Sequence, residues 1–285
     1  MLPGTERIPE LICESVRRRC EGKDVAISFS GGVDSGLVGA LAMRYAKSAV
    51  FYVAGTPGSH DVEAAKSAAE TLGADIRTVL VDPDDAAGVV RSQMEITGTV
   101  NPLILAFTSP IYCVLSRCEE DTVLAGQGAD EVFGGYGKYV SVPDSELKQA
   151  MKADADRFFR ETFPHEEKIA ARFGKTVERP YLDPGIVSAV SVLPPETIRP
   201  SPEDRKRILC DAARELGFGF LADRPKKAAQ YGSGILDAVK RYCRSRGIEY
   251  NALVAEYASE LRLSRFGYQL ITVGQNSYNQ PSNIR

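Results

Sequence analysis

The sequence predicts a parallel, doubly wound α/β sheet followed by a helical C-terminal region. Three observations carry this expectation. Short apolar runs alternate with helical patterns through the first half of the chain, which argues for right-handed strand–helix–strand units. Two of those runs end in glycine-rich loops that lead into helices. Beyond Tyr136 the strand signals stop, and only helical patterns remain, separated by Pro and Gly clusters such as Pro194-Pro195.

In chain order, Glu10 to Arg19 reads as a lead-in helix, with Leu11, Ile12, Val16 and Cys20 on its apolar side. The Arg17-Arg18-Arg19 run on the same stretch reads as a solvated face. Strands are expected at Val25–Phe29, Ala49–Ala54, Ile76–Val81 and Thr122–Ala125. Gly36 to Lys47, rich in Leu, Ala and Met, reads as a helix. Asp61 is placed to cap a helix carrying Val62, Ala65, Ala69 and Leu72 on one face and stopped by Gly73. Ser109 to Cys118 is another. The later helices are expected at Glu146–Phe159, Glu166–Phe173, Glu203–Leu216, Gly234–Arg244 and Ala252–Leu263. This gives an N-terminal helix over 1–24, an α/β core over 25–140, a helical substrate-side region over 141–265 and a disordered tail over 266–285, where the end is rich in Asn, Gln and Ser.

The first loop is Ser30-Gly31-Gly32-Val33-Asp34-Ser35, between a buried strand and a helix. Free backbone N–H groups and the positive end of the helix dipole suit a phosphate there. Gly31 and Gly32 permit close approach, and Ser30 and Ser35 add hydroxyl donors. Asp34 would repel a phosphate unless a cation such as Mg²⁺ sat between them. The Gly-Lys-Ser/Thr ending of a Walker loop is absent. The loop resembles that of the ATP pyrophosphatase superfamily, whose members cut ATP between the α and β phosphates.

The second loop, Gly126-Gln127-Gly128-Ala129-Asp130-Glu131-Val132-Phe133-Gly134-Gly135-Tyr136, is similar to the signature of the asparagine synthetase family, which includes the β-lactam and carbapenam synthetases. Glu178-Arg179-Pro180-Tyr181-Leu182-Asp183 is similar to that family's Arg-x-Pro-Phe-Leu-Asp segment, with Tyr in place of Phe. The segment beginning Arg224-Pro225-Lys226-Lys227 is similar to its late Arg-x-Lys segment. All four motifs stand in family order, from about Val25 to Gly234.

The resemblance implies an adenine nucleotide α-hydrolase-like core. It also implies an enzyme that adenylates a carboxylic acid with ATP and passes the acyl group to ammonia or an amine. L-aspartate is the substrate by analogy. It places Ser30, Gly31, Gly32, Asp34, Ser35, Val53, Gly128, Asp130 and Glu131 around the nucleotide, with Asp34 and Asp130 on Mg²⁺. Lys226 faces the reacting acyl phosphate, with Lys227 as competitor. Val53-Ala54-Gly55-Thr56 would meet the adenine, and Glu95 would line the site. The catalytic carboxylate stays open among Asp154, Asp156, Glu161 and Glu167. No N-terminal Cys of a glutaminase domain follows Met1, so glutamine hydrolysis is not expected of this chain. Ammonia, an amine or a separate glutaminase subunit would supply nitrogen, and a homo-oligomer stays open.

Composition fits these expectations. The chain has 285 residues, 44% hydrophobic and 26% charged, with a net charge of −3. No basic run suggests broad nucleic-acid binding. No apolar stretch reaches the roughly 18 residues that span a membrane, and no signal-peptide core is visible, which leaves a cytoplasmic reading. The six cysteines, Cys13, Cys20, Cys113, Cys118, Cys210 and Cys243, form no Cys-x-x-Cys pair, and His60 and His165 are the two histidines. Buried free thiols are expected rather than zinc or iron–sulfur chemistry, and tRNA-thiolating relatives of the loop usually carry paired cysteines.

Overall fold

The computed structural model describes residues 4–202, 204–223 and 232–262. A five-stranded parallel sheet forms its centre, with β1 Asp24–Ser28, β2 Ser48–Gly55, β3 Ile76–Leu80, β4 Thr122–Ala125 and β5 Thr176–Glu178 in the order β3-β2-β1-β4-β5. Val25 of β1 pairs with Ala49 on one side and with Thr122 on the other. The chain therefore builds outward from β1 to β3 and then returns to the opposite flank of β1. That reversal opens a crevice at the carboxyl ends of β1 and β4, where ligands gather in open α/β sheets.

Side chains alternate across this sheet. Val25, Ile27, Phe51, Val53 and Leu124 enter one buried layer, while Ala26, Tyr52, Ala54, Val123 and Ala125 enter the other. Both faces must then be covered, which explains why the strands read as nearly continuous apolar runs. The first layer holds α1 Ile8–Cys20, α2 Val33–Tyr45 and α3 His60–Leu72; the second holds α4 Ala86–Thr97 and α5 Pro102–Leu115. On α1 the buried residues Ile8, Ile12, Val16 and Cys20 repeat every four residues. The next elements are α6 Ala129–Phe133, α7 Asp144–Arg157, a π-helical turn at Phe158–Thr162, α8 Phe163–Arg172, α9 Pro184–Ser191, α10 Pro195–Ile198, α11 Arg207–Glu215 and α12 Gly219–Ala222. Helices at Ile235–Ser245 and Tyr250–Glu260 complete the described chain.

The four expected strands and the parallel, doubly wound class are present. Four expectations change. A fifth strand, β5, extends the sheet from the region expected to be wholly helical; with three residues and only Val177 buried it is too short to show an alternating pattern. Helix α5 begins seven residues before Ser109, capped by Asn101, whose side chain accepts from the Leu103 and Ile104 N–H groups. It ends at Leu115 rather than Cys118, and Pro110 sits inside it. Asp61 lies in the first turn of α3, and Ser59 takes the cap position without a side-chain bond. The arginine run is only partly solvated: Arg18 and Arg19 both reach Asp183, and Arg19 also meets Glu178 at 3.3 Å. The tail over 266–285 lies outside the described residues. No single helix among the described residues is long and apolar enough to cross a membrane, and α4 and α5 reach the length only together across a 101° bend.

Between the helices on the second face lies a buried polar knot. The Thr108 hydroxyl donates to Gln93 Oε1 at 2.7 Å and lies 3.0 Å from His165 Nε2, while Gln93 Nε2 donates to Ser109 at 2.9 Å. Burial, with Lys168 nearby, pushes the His165 imidazole down to about 4. The unfolded chain therefore takes up a proton near pH 6.5 that the folded chain refuses until about pH 4. Stability should fall across that window by on the order of 2 kcal/mol relative to His165→Gln. Urea unfolding of both proteins at pH 7 and pH 4.5 measures the difference; equal acid sensitivity in the two would contradict it.

Candidate functional site

The crevice is framed by the loops after β1 and β4. In the first, Ser30 N–H donates to Ser35 Oγ at 3.1 Å, and the two hydroxyls lie 3.3 Å apart. Gly31 takes φ +78°, and a Cβ there would stand 2.6 Å from the Ala64 carbonyl carbon. Only glycine serves at that position, since it needs both a left-handed backbone and contact with the backbone of α3. Gly32 caps α2 in an extended conformation, so the first turn of the helix, with Asp34, opens into the crevice. The second loop lies directly against it. A Cβ on Gly126 would stand 2.6 Å from Ser35 N, so this glycine lets the two loops touch.

This contact brings Asp34 and Asp130 together on one cation. Lys206, at the N-terminal edge of α11, extends its ammonium to Asp34 Oδ1 and lies 3.1 Å from Asp130 Oδ1. It is 1% exposed, and it holds φ +57°, a left-handed backbone that non-glycine residues avoid. A strained, buried ammonium shared by two carboxylates marks a position built for positive charge. Mg²⁺ fits such a donor set, because it commonly takes one or two protein carboxylates and completes its shell with phosphate oxygens and water. Among the described residues no group of three or more His, Cys, Asp or Glu could hold a metal.

Beside Asp130, Glu131 is turned inward and accepts from the Tyr136 hydroxyl. Burial and the neighbouring Asp130 charge push its carboxyl up to about 7. Val53 is buried in β2, and beyond the strand Thr56 N–H donates to Ser233 O at 2.9 Å.

The other sequence candidates disperse. Asp154 is buried between Lys138 and Tyr139, the latter donating at 2.6 Å. Asp156 pairs with Lys152 and Glu161 with Arg160, both on exposed surface, and Glu167 pairs with Arg179. Glu95 is exposed, pairs with Arg91 and lines a separate surface groove with Tyr112 and Lys168. Lys226 and Lys227 lie outside the described residues. All six thiols are free, and burial pushes Cys113 up to about 12 and Cys20, Cys118 and Cys210 up to about 11, as expected of inert packing.

Nothing local in the sequence marks Lys206 as a site residue. It stands between exposed Arg205 and Arg207, and a basic triplet opening a helix reads as a solvated surface. Lys206→Met should remove the ammonium that Asp34 and Asp130 share. Its stability in EDTA should fall by roughly 2–3 kcal/mol, and millimolar Mg²⁺ should restore part of that. Wild-type stability should change little with Mg²⁺. Urea unfolding with and without the ion checks this, and a variant as stable as wild type in EDTA would refute the shared-cation reading.

Comparison with known proteins agrees with this geometry. The asparagine synthase family matches residues 7–143, which contain both loops. A Methanocaldococcus jannaschii protein named as a glutamine-hydrolyzing asparagine synthetase is 29% identical over 280 residues, covering 83% of this chain and 52% of its own length. Asparagine synthetase 1 of Arabidopsis thaliana is 24% identical over 203 residues, 66% of this chain and 35% of that protein. Asparagine synthetase B of Escherichia coli is 26% identical over 137 residues, 42% of this chain and 25% of that protein. The chain thus spans about half or less of the length of these relatives. Among solved structures, a U34-tRNA thiolase from Methanococcus maripaludis with a [4Fe-4S] cluster aligns over 90% of this chain and 80% of its own. The TM-score is 0.36 and the identity 14%, too low to bear on fold or activity. The stretch that holds β1 to β4 and both loops in order is thus similar to the asparagine synthase family.

Proposed function

We propose that this chain uses ATP to adenylate a carboxylic acid and then forms an amide with ammonia or an amine, releasing pyrophosphate and AMP. The observation that supports it most is the convergence of Asp34 and Asp130 on one cation position, between two glycine loops at the switch point of the sheet. In this reading the substrate carboxylate attacks the α-phosphorus, the bond to the bridging oxygen breaks, and pyrophosphate departs with that electron pair. The nitrogen nucleophile then attacks the acyl carbon, and AMP leaves. Mg²⁺ held by Asp34 and Asp130 would neutralise triphosphate charge.

The chain itself positions and neutralises rather than reacting covalently. Ser30, Gly31, Gly32 and Ser35 offer N–H and hydroxyl donors to the leaving phosphates. Gly128 and Glu131 shape the facing loop, and the backbone at Val53 takes the adenine. Lys226 stabilises the charge that develops on the acyl phosphate, and the ammonium of Lys206 is a second cation at the same crevice. L-aspartate is the first substrate to try, by analogy with the family. Nitrogen comes from ammonia, an amine or a separate glutaminase subunit, and the setting is cytoplasmic. The described thiols give sulfur transfer no support, since all are free and five are buried.

Three experiments test this. Incubation with ATP, Mg²⁺, ammonia and a panel of carboxylic acids should give AMP and pyrophosphate by ³¹P spectroscopy; ADP and phosphate as main products would refute it. Asp34→Asn and Asp130→Asn should each lower pyrophosphate release by at least about 10²-fold, and Lys226→Ala should lower kcat by a similar factor with little change in ATP affinity. With glutamine alone, neither glutamate nor amide should form. Stoichiometric glutamate from glutamine would mean that one of the six cysteines is a nucleophile.

A further inference from the structure

The segment Arg179–Asp183 lies outside the family match and has no part in the chemistry above, yet it touches both loops of the crevice. Tyr181 is fully buried, and its hydroxyl donates to the Asp34 carbonyl at 2.8 Å. The same ring packs edge-on against Phe133 of α6, with centroids 5.7 Å apart. Leu182 fills the space over Gly128, where a Cβ would stand 2.4 Å from Leu182 Cδ2.

Arg179 reaches the second loop through one intermediary. It donates to Glu166 at 2.9 Å, and Glu166 accepts from Gln127 Nε2 at 2.8 Å. This ion pair is 3% exposed on both sides, and the guanidinium lies 4.5 Å from the Phe163 ring centre. A buried pair of this kind adds little net stability, but it fixes geometry strongly once its partners are in place. The segment is itself anchored to α1. Ser15 Oγ donates to the Pro180 carbonyl at 2.7 Å, and Asp183 takes Arg18 at 2.7 Å while capping α9 through Gly185 N–H.

We propose that Arg179–Asp183 is a brace that holds the Ser30–Ser35 and Gly126–Asp130 loops in register, and so sets the separation of Asp34 and Asp130. Tyr181 is its central positioning residue. The hydroxyl stands where the resembled family carries Phe, so this chain has a tie to Asp34 that the family pattern lacks. The functional half of this inference, the separation of two metal-binding carboxylates, rests on the proposed ATP chemistry. The mechanical half does not.

The test uses the full chain and two mild variants, Tyr181→Phe and Leu182→Val, with thermal melting as the check on folding. Hydrogen exchange is read first, without nucleotide or metal. Amides of residues 33–38 should exchange roughly threefold to tenfold faster in Tyr181→Phe, and those of 126–131 likewise in Leu182→Val, as expected for loss of one modest contact. Exchange at wild-type rates in both variants would overturn the brace. ATP binding is then titrated in EDTA and in Mg²⁺. Affinity in EDTA should match wild type, while the gain from Mg²⁺ should shrink at least about threefold in each variant. Faster exchange with a full Mg²⁺ gain would overturn the positioning role and leave a purely structural segment. A wild type that gains nothing from Mg²⁺ would refute the ATP reading and the positioning role together, while the exchange rates would still decide the brace.

Discussion

Two carboxylates and one buried ammonium share a space at the carboxyl ends of β1 and β4. Placing Asp34 and Asp130 side by side is costly, because like charges in a partly dry crevice repel. Lys206 offsets this in the folded protein, and it does so from a strained backbone position. Glu131 shows the same field from its other side. With Asp130 beside it and little water, its carboxyl is pushed up to about 7, where it pairs with Tyr136. Much of the surrounding architecture follows from keeping these groups together. Gly126 lets the loops touch, the strand order puts them at one crevice, and the N-terminus of α2 supplies positive field from below.

The same arrangement is compatible with the proposed binding of a tetravalent anion beside acidic residues. In the proposed reading, backbone N–H groups and hydroxyls of the first loop would attract phosphate, while Asp34 and Asp130 would attract the cation that accompanies it. With neither bound, Lys206 stands in for that cation. In the proposed reading, binding would exchange the ammonium of Lys206 for the metal ion. The proposed chemistry needs only charge neutralisation and placement, and those are the properties this crevice has.

Much of this was legible in the sequence because the loops announce themselves locally. A buried strand, glycines at fixed offsets and an acidic residue where a phosphate donor would be expected are adjacent in the chain. The helix faces of α1 and α3 are equally plain from the three- and four-residue spacing of their apolar side chains. What stayed hidden is non-local or too short to show a pattern. β5 has three residues. Lys206 is flanked by exposed arginines, and only the packing of α11 against α2 and α6 turns it inward. Arg179 and Tyr181 belong to a motif visible in the sequence, but their contacts reach back to Glu166 and Asp34, and no local rule predicts such distances. The four carboxylates left open as a catalytic base could not be sorted by sequence, and each is paired elsewhere in the structure.

A crystal structure with Mg²⁺ and α,β-methylene ATP is the most direct measurement of the central claim. The account predicts one metal ion at about 2.1 Å from a carboxylate oxygen of both Asp34 and Asp130. It also predicts phosphates on the N–H groups of the Ser30–Ser35 loop, and the Lys206 ammonium moved off the carboxylates. A nucleotide bound with Lys206 still bridging the two aspartates, or with the metal held away from both, would contradict it.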